Sequence, residues 1–476
     1  MNATAPAHAQ TMAPSLREPG AIVLVSCYEL GHQPLALASP LAFLERAGYA
    51  PGTLDISVEP FDAERFARAR FVGISVPMHT ALRLGVRVAE HVRQMNPARH
   101  ICFYGLYASL NAEYLLAHGA DSVIGGEFES ALVALVEALE AGRPGPVEGV
   151  HLRGQPAGPV LRRLSFPLPS RARLPRLKKY AHLEREGARG PVGYVEASRG
   201  CLHMCRHCPI PPVYGGRFFV VPEEIVLADI RQLVRAGATH ITFGDPDFLN
   251  GPGHSLAIVR AMHAEFPALT FDFTAKVEHI LERKDLFPEL AGLGSIFMIS
   301  AVESLSDTVL ANLDKGHSRA DVHAALRIVR DAGITFRPTW VPFAPWATLE
   351  DYVEMLEFVE TEGLVDHVDP VQFTLRLLVP PGSALLGRAA ITPFLGPLDQ
   401  ASFSYVWTHP DPRMDRLQRE ASRLVEAAAR AEEDPAETFS RLRDLAHATL
   451  GVAAPVRLAP SPDRPRPPRL TEAWFC

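Results

Sequence analysis

Short apolar runs alternate with amphipathic stretches along the first third of the chain. Five runs of three to seven residues are predicted to be strands, at 21–27, 53–57, 71–76, 100–104 and 122–124. The stretches that follow them repeat apolar positions every three to four residues, which predicts helices over 35–47, 61–69, 80–95, 110–118 and 128–141. Five strand–helix units in series indicate a doubly wound, Rossmann-like parallel sheet, whose ligand crevice lies at the carboxyl ends of the strands.

A similar alternation returns in the middle of the chain. A strand is predicted to run into a loop over 193–200, and further strands are predicted at 240–244, 270–275, 295–301, 334–338 and 370–378. A helix over 222–236 ends before Gly237, where a helix C-terminus is expected. Helices also separate the later strands, so the chain is α/β throughout this part.

Composition marks the boundaries between these regions. Residues 143–192 are rich in Gly, Pro and Arg and show little periodicity, which is typical of a linker. Two amphipathic helices are predicted over 412–431 and 435–450, after the second alternating region has ended. The resulting division is a flexible leader 1–19, a first domain 20–142, the linker 143–192, a second domain 193–386, a helical cap 387–458 and a disordered tail 459–476.

Length and charge exclude several classes of protein. A chain of 476 residues exceeds the size of one growing core, so more than one domain is expected. Its net charge of −7 argues against a general nucleic-acid binder. The sequence has no uninterrupted apolar run of the ~18 residues that span a bilayer, and its start does not resemble a secretory signal. We therefore expect a cytoplasmic protein with no membrane span and no nucleic-acid partner.

Three of the six cysteines stand within eight positions, as Cys201, Cys205 and Cys208. Three thiolates are one ligand short of a structural zinc site, although His203 and His207 are available to complete one. A [4Fe–4S] cluster suits three cysteines better, because the fourth iron then keeps an open position that a small molecule can chelate. Clustered cysteines in a large chain indicate a metal site in a reducing compartment rather than disulfides.

The spacing Cys201-x-x-x-Cys205-x-x-Cys208 resembles the signature of the radical SAM superfamily. The resemblance implies a partial (β/α)6 barrel in the second domain, and a [4Fe–4S] cluster held by these three cysteines. It also implies that S-adenosylmethionine binds the open iron and is cleaved to methionine and a 5′-deoxyadenosyl radical. An electron donor of the flavodoxin or ferredoxin type is the implied partner.

Two turns at predicted strand ends resemble the turns with which this superfamily binds S-adenosylmethionine. The residues implied as ligands are Gly244, Asp245 and Asp247 in one turn, and Glu303 and Ser304 in the other. Arg376 lies in an otherwise apolar predicted strand and needs a partner if it is buried. A clamp for a cofactor carboxylate is the preferred role of Arg376, and a structural ion pair is the alternative.

Residues 71–75, 104–105 and 121–129 resemble the cobalamin-binding domain that precedes many radical SAM cores. The contacts this implies are Ser75, Gly105, Gly125, Gly126 and Glu127. The first loop departs from the cobalamin-ligating signature Asp-x-His-x-x-Gly, because Leu30 and Leu35 flank His32 where Asp and Gly are expected. His32 and His79 are therefore interpreted as loop or capping residues. Bound cobalamin and a domain that has lost this cofactor both stay open.

The ending 471–476 resembles a subgroup of cobalamin-domain radical SAM proteins with a CUAEP or CCAEP tail, but this sequence stops at the first Cys. A UGA codon for selenocysteine, read as a stop, is one hypothesis for that difference.

The favoured function is cobalamin-dependent methylation of an unreactive carbon in a small molecule or peptide. The alternatives are a rearrangement or other radical modification without cobalamin, and a non-catalytic, metal-binding regulatory module. The sequence identifies no catalytic residue and no substrate.

Overall fold

The computed structural model describes residues 15–143, 145–454, 461 and 464–471. Two sheets organise this part of the chain, one of six strands and one of seven, and two small two-stranded sheets accompany them. The predicted fold class, a doubly wound parallel sheet followed by a partial barrel and a small helical C-terminal region, is confirmed, and the barrel is a curled half-barrel.

The first domain is a parallel sheet with helices on both faces. Its strands are β1 (Ile22–Ser26), β2 (Gly52–Asp55), β3 (Phe71–Ser75), β4 (His100–Tyr104), β5 (Ser122–Ile124) and β6 (Val150–Leu152). Its helices are α1 (Leu35–Arg46), α2 (Ala63–Phe66), α3 (His79–Met95), α4 (Leu106–Leu110), α5 (Ala112–Ala117) and α6 (Glu129–Glu140). The order is β2-β1-β3-β4-β5-β6, and β6 alone runs antiparallel to its neighbour.

Burial explains why these segments form strands and helices. All five residues of β1 and of β3 are buried, as expected of strands covered on both faces. Helix α3 is amphipathic and buries Leu82, Val88 and Val92 on the side that faces the sheet. The five parallel strands lie where the apolar runs predicted them.

The second domain is built on the seven-stranded sheet. Its strands are β7 (His182–Arg185), β8 (Ala188–Val195), β9 (Ser198–Gly200), β10 (Phe218–Val220), β11 (His240–Phe243), β12 (Thr270–Thr274), β13 (Ser295–Glu303), β14 (Thr335–Trp340), β15 (Leu395–Asp399), β16 (Ser404–Trp407) and β17 (Arg469–Leu470). The sheet order is β14-β13-β12-β11-β8-β7-β17, while β9 with β10 and β15 with β16 form the small sheets. Strands β8 and β11 to β14 are parallel.

Helices alternate with the parallel strands of this domain. They are α7 (Ile210–Tyr214), α8 (Glu223–Arg235), α9 (Pro252–Glu265), α10 (Val277–Glu282), α11 (Phe287–Gly292), α12 (Asp307–Leu313), α13 (Arg319–Asp331) and α14 (Leu349–Thr361), followed by α15 (Pro412–Arg430) and α16 (Pro435–Leu450). Helices α15 and α16 lie where the sequence predicts them and pack on each other. Within the described residues, no helix is both long enough and apolar enough to cross a membrane.

The predicted sixth barrel strand, 370–378, is wrong. Residues Pro370–Thr374 form a 3-10 helix, and a single bridge between Arg376 and Phe343 is the paired part of the segment. Proline has no N–H to donate to a ladder, and the buried Phe373 and Leu377 make the segment apolar without making it a strand. Among the described residues, the half-barrel therefore has five parallel strands.

The described part of the predicted disordered tail is ordered. Strand β17 pairs with β7, and Arg464 forms ion pairs with Asp366 at 2.6 Å and with Asp434 at 2.6 Å. A segment rich in proline and arginine has few apolar residues to bury in a core, but its arginines can fix it to the domain surface through ion pairs. The prediction is wrong for 464–471, and residues 472–476 lie outside the described part.

The linker is docked rather than free. Arg171 is buried and forms a bidentate ion pair with Asp229 of α8, at 2.6 and 2.7 Å. The same guanidinium donates to Gln33 of the first domain and to the carbonyl of Tyr194 on β8. One side chain thus holds the linker, the first domain and the half-barrel together.

Candidate active site

Three cysteines lie in the loop between β9 and α7. Cys201 and Cys205 are buried, Cys208 is partly exposed, and the three form no disulfide within the described residues. Cys201 N–H donates to the carbonyl of Arg217 and Cys208 N–H to that of Cys205. Soft thiolates in one preformed loop are the ligands of an iron–sulfur cluster, and three of them leave one iron open. This donor set fits a [4Fe–4S] cluster.

Gly200, immediately before the first cysteine, is required by the shape of the loop. Its φ is +77°, and a Cβ atom there would lie 2.4 Å from the carbonyl oxygen of Arg217. Only glycine adopts this conformation at so close an approach. Gly200 thereby fixes the direction in which the chain enters the loop.

The two histidines considered as zinc ligands face carboxylates instead. His203 Nε2 lies 3.5 Å from Asp247 Oδ2, and His207 Nε2 lies 3.3 Å from Glu303 Oε1. Asp247 also accepts hydrogen bonds from His279 Nδ1 at 2.9 Å and from the Leu249 N–H at 3.0 Å. The histidines therefore connect the cysteine loop to the ends of the barrel strands.

The turn after β11 holds Gly244 and Asp245 beside the cysteine loop. The Asp245 carboxylate accepts hydrogen bonds from the Ala197 N–H at 2.9 Å and the Ser198 hydroxyl at 2.6 Å. Burial raises the pKa of Asp245 to about 7. A Cβ atom at Gly244 would lie 2.0 Å from the hydroxyl of Tyr194, so glycine allows that ring to pack against the turn.

Glu303, at the end of β13, is a buried carboxylate with a lysine and a histidine as neighbours. Its Oε1 lies 3.4 Å from Lys315 Nζ and 3.3 Å from His207 Nε2. Burial alone would raise the pKa of Glu303, but Lys315 and His207 lower it to about 2. Ser304 accepts a hydrogen bond from the Ser306 N–H, just before α12. Of this pair, Glu303 lines the cavity described next.

A cavity of about 390 Å³ opens between the first domain and the half-barrel. Leu30 and His32 of the first domain line one side, and Gly244, Asp245 and Glu303 line the barrel side. Because the carboxyl ends of parallel strands carry the functional side chains of such folds, this cavity is the candidate active site. The sequence-predicted residues Gly244, Asp245 and Glu303 are brought together here.

His32 belongs to the wall of this cavity. Its ring stacks on Tyr194, with ring centroids 4.7 Å apart. Burial lowers the pKa of His32 to about 4, so the ring is neutral near pH 7. His79 lies elsewhere, at the start of α3, with Nε2 2.5 Å from the carbonyl oxygen of Ser402.

The predicted carboxylate clamp, Arg376, is engaged in a structural ion pair instead. Its guanidinium donates to Asp415 of α15 at 2.6 Å and to the carbonyl of Trp407 at 2.6 Å. It also lies 3.4 Å from the centroid of the Trp407 ring, a cation–π contact. Arg376 thus fastens the cap to the barrel, because 370–378 is not the inward-facing strand that the sequence predicted.

The residues predicted to contact cobalamin lie at strand ends of the first domain, and packing explains most of them. Ser75 is buried at the end of β3, and Gly105, with φ +109°, follows β4. A Cβ atom at Gly125 would lie 2.5 Å from Ser109, and one at Gly126 would lie 2.2 Å from the carbonyl oxygen of Val160. The two adjacent glycines therefore admit neighbours from within the domain and the linker.

Sequence reasoning missed a buried charge network that joins the first domain to the cysteine loop. Arg199, two residues before Cys201, lies 2.7 Å from Glu129, 2.7 Å from Glu196 and 3.6 Å from Glu127. Burial alone would lower the pKa of Arg199, but Glu129, Glu196 and Glu127 raise it well above its ordinary value.

The network ends on Tyr214 of α7, whose hydroxyl donates to Glu127 at 3.0 Å. Burial raises the pKa of Glu127 to about 7. The predicted cobalamin contact Glu127 thus holds the cysteine loop. The signal for this role was the arginine beside the motif together with the pair of glutamates at 127 and 129.

Two family models match the chain. The B12 binding domain matches residues 21–136, and the Radical SAM superfamily matches residues 195–359. The resemblances to both are confirmed. A curated relative, the tRNA-2-methylthio-N(6)-dimethylallyladenosine synthase of Shewanella baltica, is 25% identical over 205 residues, which are 40% of this chain and 43% of the relative. The chain covers less than half the length of the curated relatives it matches.

Two solved structures share the fold over most of the chain. One is the cobalamin-dependent S-adenosylmethionine radical enzyme OxsB with aqua-cobalamin bound, with a TM-score of 0.70 at 16% identity. The match covers 90% of this chain and 72% of the OxsB chain. The other is the radical S-adenosylmethionine methyltransferase TsrM of Kitasatospora setae with tryptophan substrate and a SAM analogue bound, with a TM-score of 0.66 at 17% identity. The match covers 91% of this chain and 96% of the TsrM chain.

Proposed function

We propose that this chain, in which a B12-binding domain precedes a radical SAM domain, is an enzyme that cleaves S-adenosylmethionine reductively and methylates an unreactive carbon with the help of cobalamin. The observation that carries the proposal is the cavity between the two domains. The first domain lines it with Leu30 and His32, and the barrel lines it with Gly244 and Glu303 beside the cysteine loop. Both domains thus line a single cavity.

Cys201, Cys205 and Cys208 would hold the [4Fe–4S] cluster. One electron passed through such a cluster breaks a C–S bond of S-adenosylmethionine and gives methionine and a 5′-deoxyadenosyl radical. Around the cysteine loop, Asp245 fixes the segment that leads into it by accepting from Ala197 and Ser198. The ionised Glu303 lies at the cavity wall, where it would attract a cationic group.

Exclusion of water is the second task of the protein in radical chemistry. Tyr194 packs against Gly244 on one side and against the ring of His32 on the other. The two domains therefore meet on an aromatic contact at the cavity wall. A cofactor carried by the first domain would meet the substrate there, and the neutral His32 adds no charge to that side.

Methylation is favoured over sulfur insertion, the chemistry suggested by the names of the curated relatives. Sulfur insertion needs a sulfur source beside the radical cluster. The other described cysteines, Cys27 and Cys102, are buried in the first domain, and burial raises the pKa of Cys102 to about 12. A buried, protonated thiol is a poor metal ligand.

The proposed electron donor is a small protein of the flavodoxin or ferredoxin type. The cysteine loop presents two exposed apolar side chains, Leu202 and Met204. Exposed apolar residues next to a redox centre suit a transient docking partner. Such a partner would approach the cluster from outside the barrel.

The test is an anaerobic assay with methyl-deuterated S-adenosylmethionine. The protein is reconstituted with iron, sulfide and cobalamin, and products are followed by mass spectrometry. The proposal predicts both 5′-deoxyadenosine and S-adenosylhomocysteine, the second only with cobalamin present. The Cys205→Ala variant should form no 5′-deoxyadenosine. Formation of 5′-deoxyadenosine with no dependence on cobalamin would favour radical chemistry without methyl transfer, and no cleavage at all would leave a binding module.

A further inference from the structure

The cavity extends below the strand ends into the barrel, where its lining includes one arginine, Arg337, and two carboxylates, Asp272 and Asp369. Arg337 lies three residues before the end of β14, and Asp272 lies two residues before the end of β12. The cysteine loop and Glu303 lie at the strand ends, above both. We call the part of the cavity around Asp272 and Arg337 the lower chamber.

Arg337 is a buried cation whose contacts are long. Its NH2 lies 3.4 Å from Asp369 Oδ2, and its NH1 lies 3.4 Å from the carbonyl oxygen of Pro468. Both distances exceed those of ordinary N–H···O hydrogen bonds. Burial lowers the pKa of Arg337, and the neighbouring Asp369 offsets this only in part. An anion in the chamber would supply the short, bidentate partner that a guanidinium favours.

Asp272 is a buried carboxylate that is held in position from one side. Its Oδ1 accepts hydrogen bonds from His240 Nε2 at 2.8 Å and from the Thr242 hydroxyl at 2.6 Å. His240 in turn contacts the Thr270 hydroxyl at 2.7 Å through Nδ1. This fixes the orientation of the carboxylate, and Asp272 lines the cavity. Its other oxygen, Oδ2, suits a cationic donor.

The spacing and the walls of the chamber limit what can bind. Strands β12 and β14 are separated by β13, so their backbones lie about 10 Å apart. The two side chains reach inward across part of that distance. The remaining lining is largely apolar and includes Phe297, Ile299, Leu375 and Leu470. A ligand that joins an ammonium, a carboxylate and an apolar body matches these features.

We propose that the lower chamber binds a free α-amino acid with an apolar side chain, its carboxylate on Arg337 and its ammonium on Asp272. The inference rests on the proposed function, since it names the substrate class of the same cavity. The ligand lies below the strand ends and the cysteine loop, so that its side chain faces the position where the radical would be generated.

The first experiment measures binding of three matched probes to the reconstituted holoenzyme by isothermal titration calorimetry. L-Phenylalanine carries both charges, phenethylamine lacks the carboxylate, and 3-phenylpropionate lacks the ammonium. Because each truncated probe loses the hydrogen bonds of one charged group, we expect each to bind at least about tenfold more weakly than L-phenylalanine. Equal affinities, or no binding of L-phenylalanine, L-leucine or L-tryptophan, would overturn the proposal.

Three variants assign the charges. Arg337→Gln should abolish the preference for L-phenylalanine over phenethylamine, and Arg337→Lys should restore part of it. Asp272→Asn should abolish the preference over 3-phenylpropionate. Arg376→Gln is the matched control, because it removes an arginine whose ion pair lies with the cap. Loss of S-adenosylmethionine affinity in Arg337→Gln with the amino-acid preference intact would assign the chamber to the cofactor and contradict the proposal.

The same preparation separates this inference from the proposed function. If the probes show the expected preference but S-adenosylmethionine is not cleaved under reducing conditions, the proposed function fails and the amino-acid site stands. If S-adenosylmethionine is cleaved but the probes bind equally, the amino-acid site fails alone. Modification of a peptide with no turnover of free amino acids would also contradict the inference.

Discussion

Two arginines with little exposure to solvent, Arg199 and Arg337, differ in how many close partners their guanidinium groups have. Arg199 has three carboxylate neighbours at 2.7 to 3.6 Å, and they belong to both the first domain and the segment before the cysteine loop. Among the described residues, Arg337 has one carboxylate neighbour within ion-pair distance, at 3.4 Å, and one carbonyl. A satisfied buried charge fixes structure, whereas an unsatisfied one is available to a ligand. The difference assigns positioning to Arg199 and binding to Arg337.

Loss of Arg199 should have the largest effect on stability. In Arg199→Met, Glu127 and Glu129 lose their cation while they stay fully buried, and breaking such a network costs about 3–5 kcal/mol of unfolding free energy. Chemical denaturation monitored by circular dichroism measures this, and iron retention should fall as well. The control Arg231→Met removes an exposed pair with Glu265 and should change little. A stable, iron-replete Arg199→Met would show that the network does not hold the loop.

The pH dependence of Glu127→Gln should show the next largest effect. The pKa of Glu127 is about 7 in the folded protein against an ordinary value of 4.5. Between these pH values the folded state keeps a proton that the unfolded chain has lost, so this group lowers wild-type stability as pH rises from 4.5 to 7. Relative to wild type, Glu127→Gln should gain up to about 3 kcal/mol over that range. A constant difference would contradict the assignment.

Tyr214→Phe should have a smaller effect in the same network. It removes the hydroxyl that donates to Glu127 and leaves a buried carboxylate oxygen without that donor. The expected cost is about 1–2 kcal/mol of unfolding free energy. Urea titrations at pH 8, where Glu127 is ionised, provide the measurement, and the cost should shrink at pH 5. An equal cost at both values would indicate lost packing rather than a lost hydrogen bond.

Arg337→Gln should change stability least. The buried guanidinium has only long contacts, and Asp369 remains partly exposed to solvent without it. We expect the unfolding free energy to change by less than about 1 kcal/mol, or to rise, because the cost of burying the charge disappears. Thermal unfolding of the two proteins side by side measures this. A loss as large as that of Arg199→Met would remove the contrast between the two sites.

The sequence predicted the parts of the fold that depend on local pattern. The parallel strands of the first domain and helices α15 and α16 follow from the period of apolar positions. The segment 370–378 has a strand-like apolar composition, but it begins with proline and pairs only through the bridge between Arg376 and Phe343. Residues Pro370–Thr374 form a 3-10 helix instead of a strand. The order of 464–471 could not be predicted, because it depends on Asp366 and Asp434, which are distant in the sequence.

The site could be predicted from the sequence only where a local motif or the position of a strand end determines it. The three cysteines lie in one loop because the motif itself is local. Gly244, Asp245 and Glu303 lie together because the ends of parallel strands converge. The pairing of Arg199 with Glu129 joins residues 70 positions apart, and the partner of Arg376 lies in the cap. No local pattern identifies such contacts. The sequence therefore did not predict the ion pairs of Arg199, and Arg376 was assigned to a ligand.

The central proposal, that the three cysteines support reductive cleavage of S-adenosylmethionine, is tested most directly by measuring 5′-deoxyadenosine. The anaerobic, iron-reconstituted protein is mixed with S-adenosylmethionine and dithionite, and the product is quantified by mass spectrometry. We predict formation by the wild type and none by Cys205→Ala. Iron-loaded wild type that forms no 5′-deoxyadenosine, or equal formation by Cys205→Ala, would contradict the proposal.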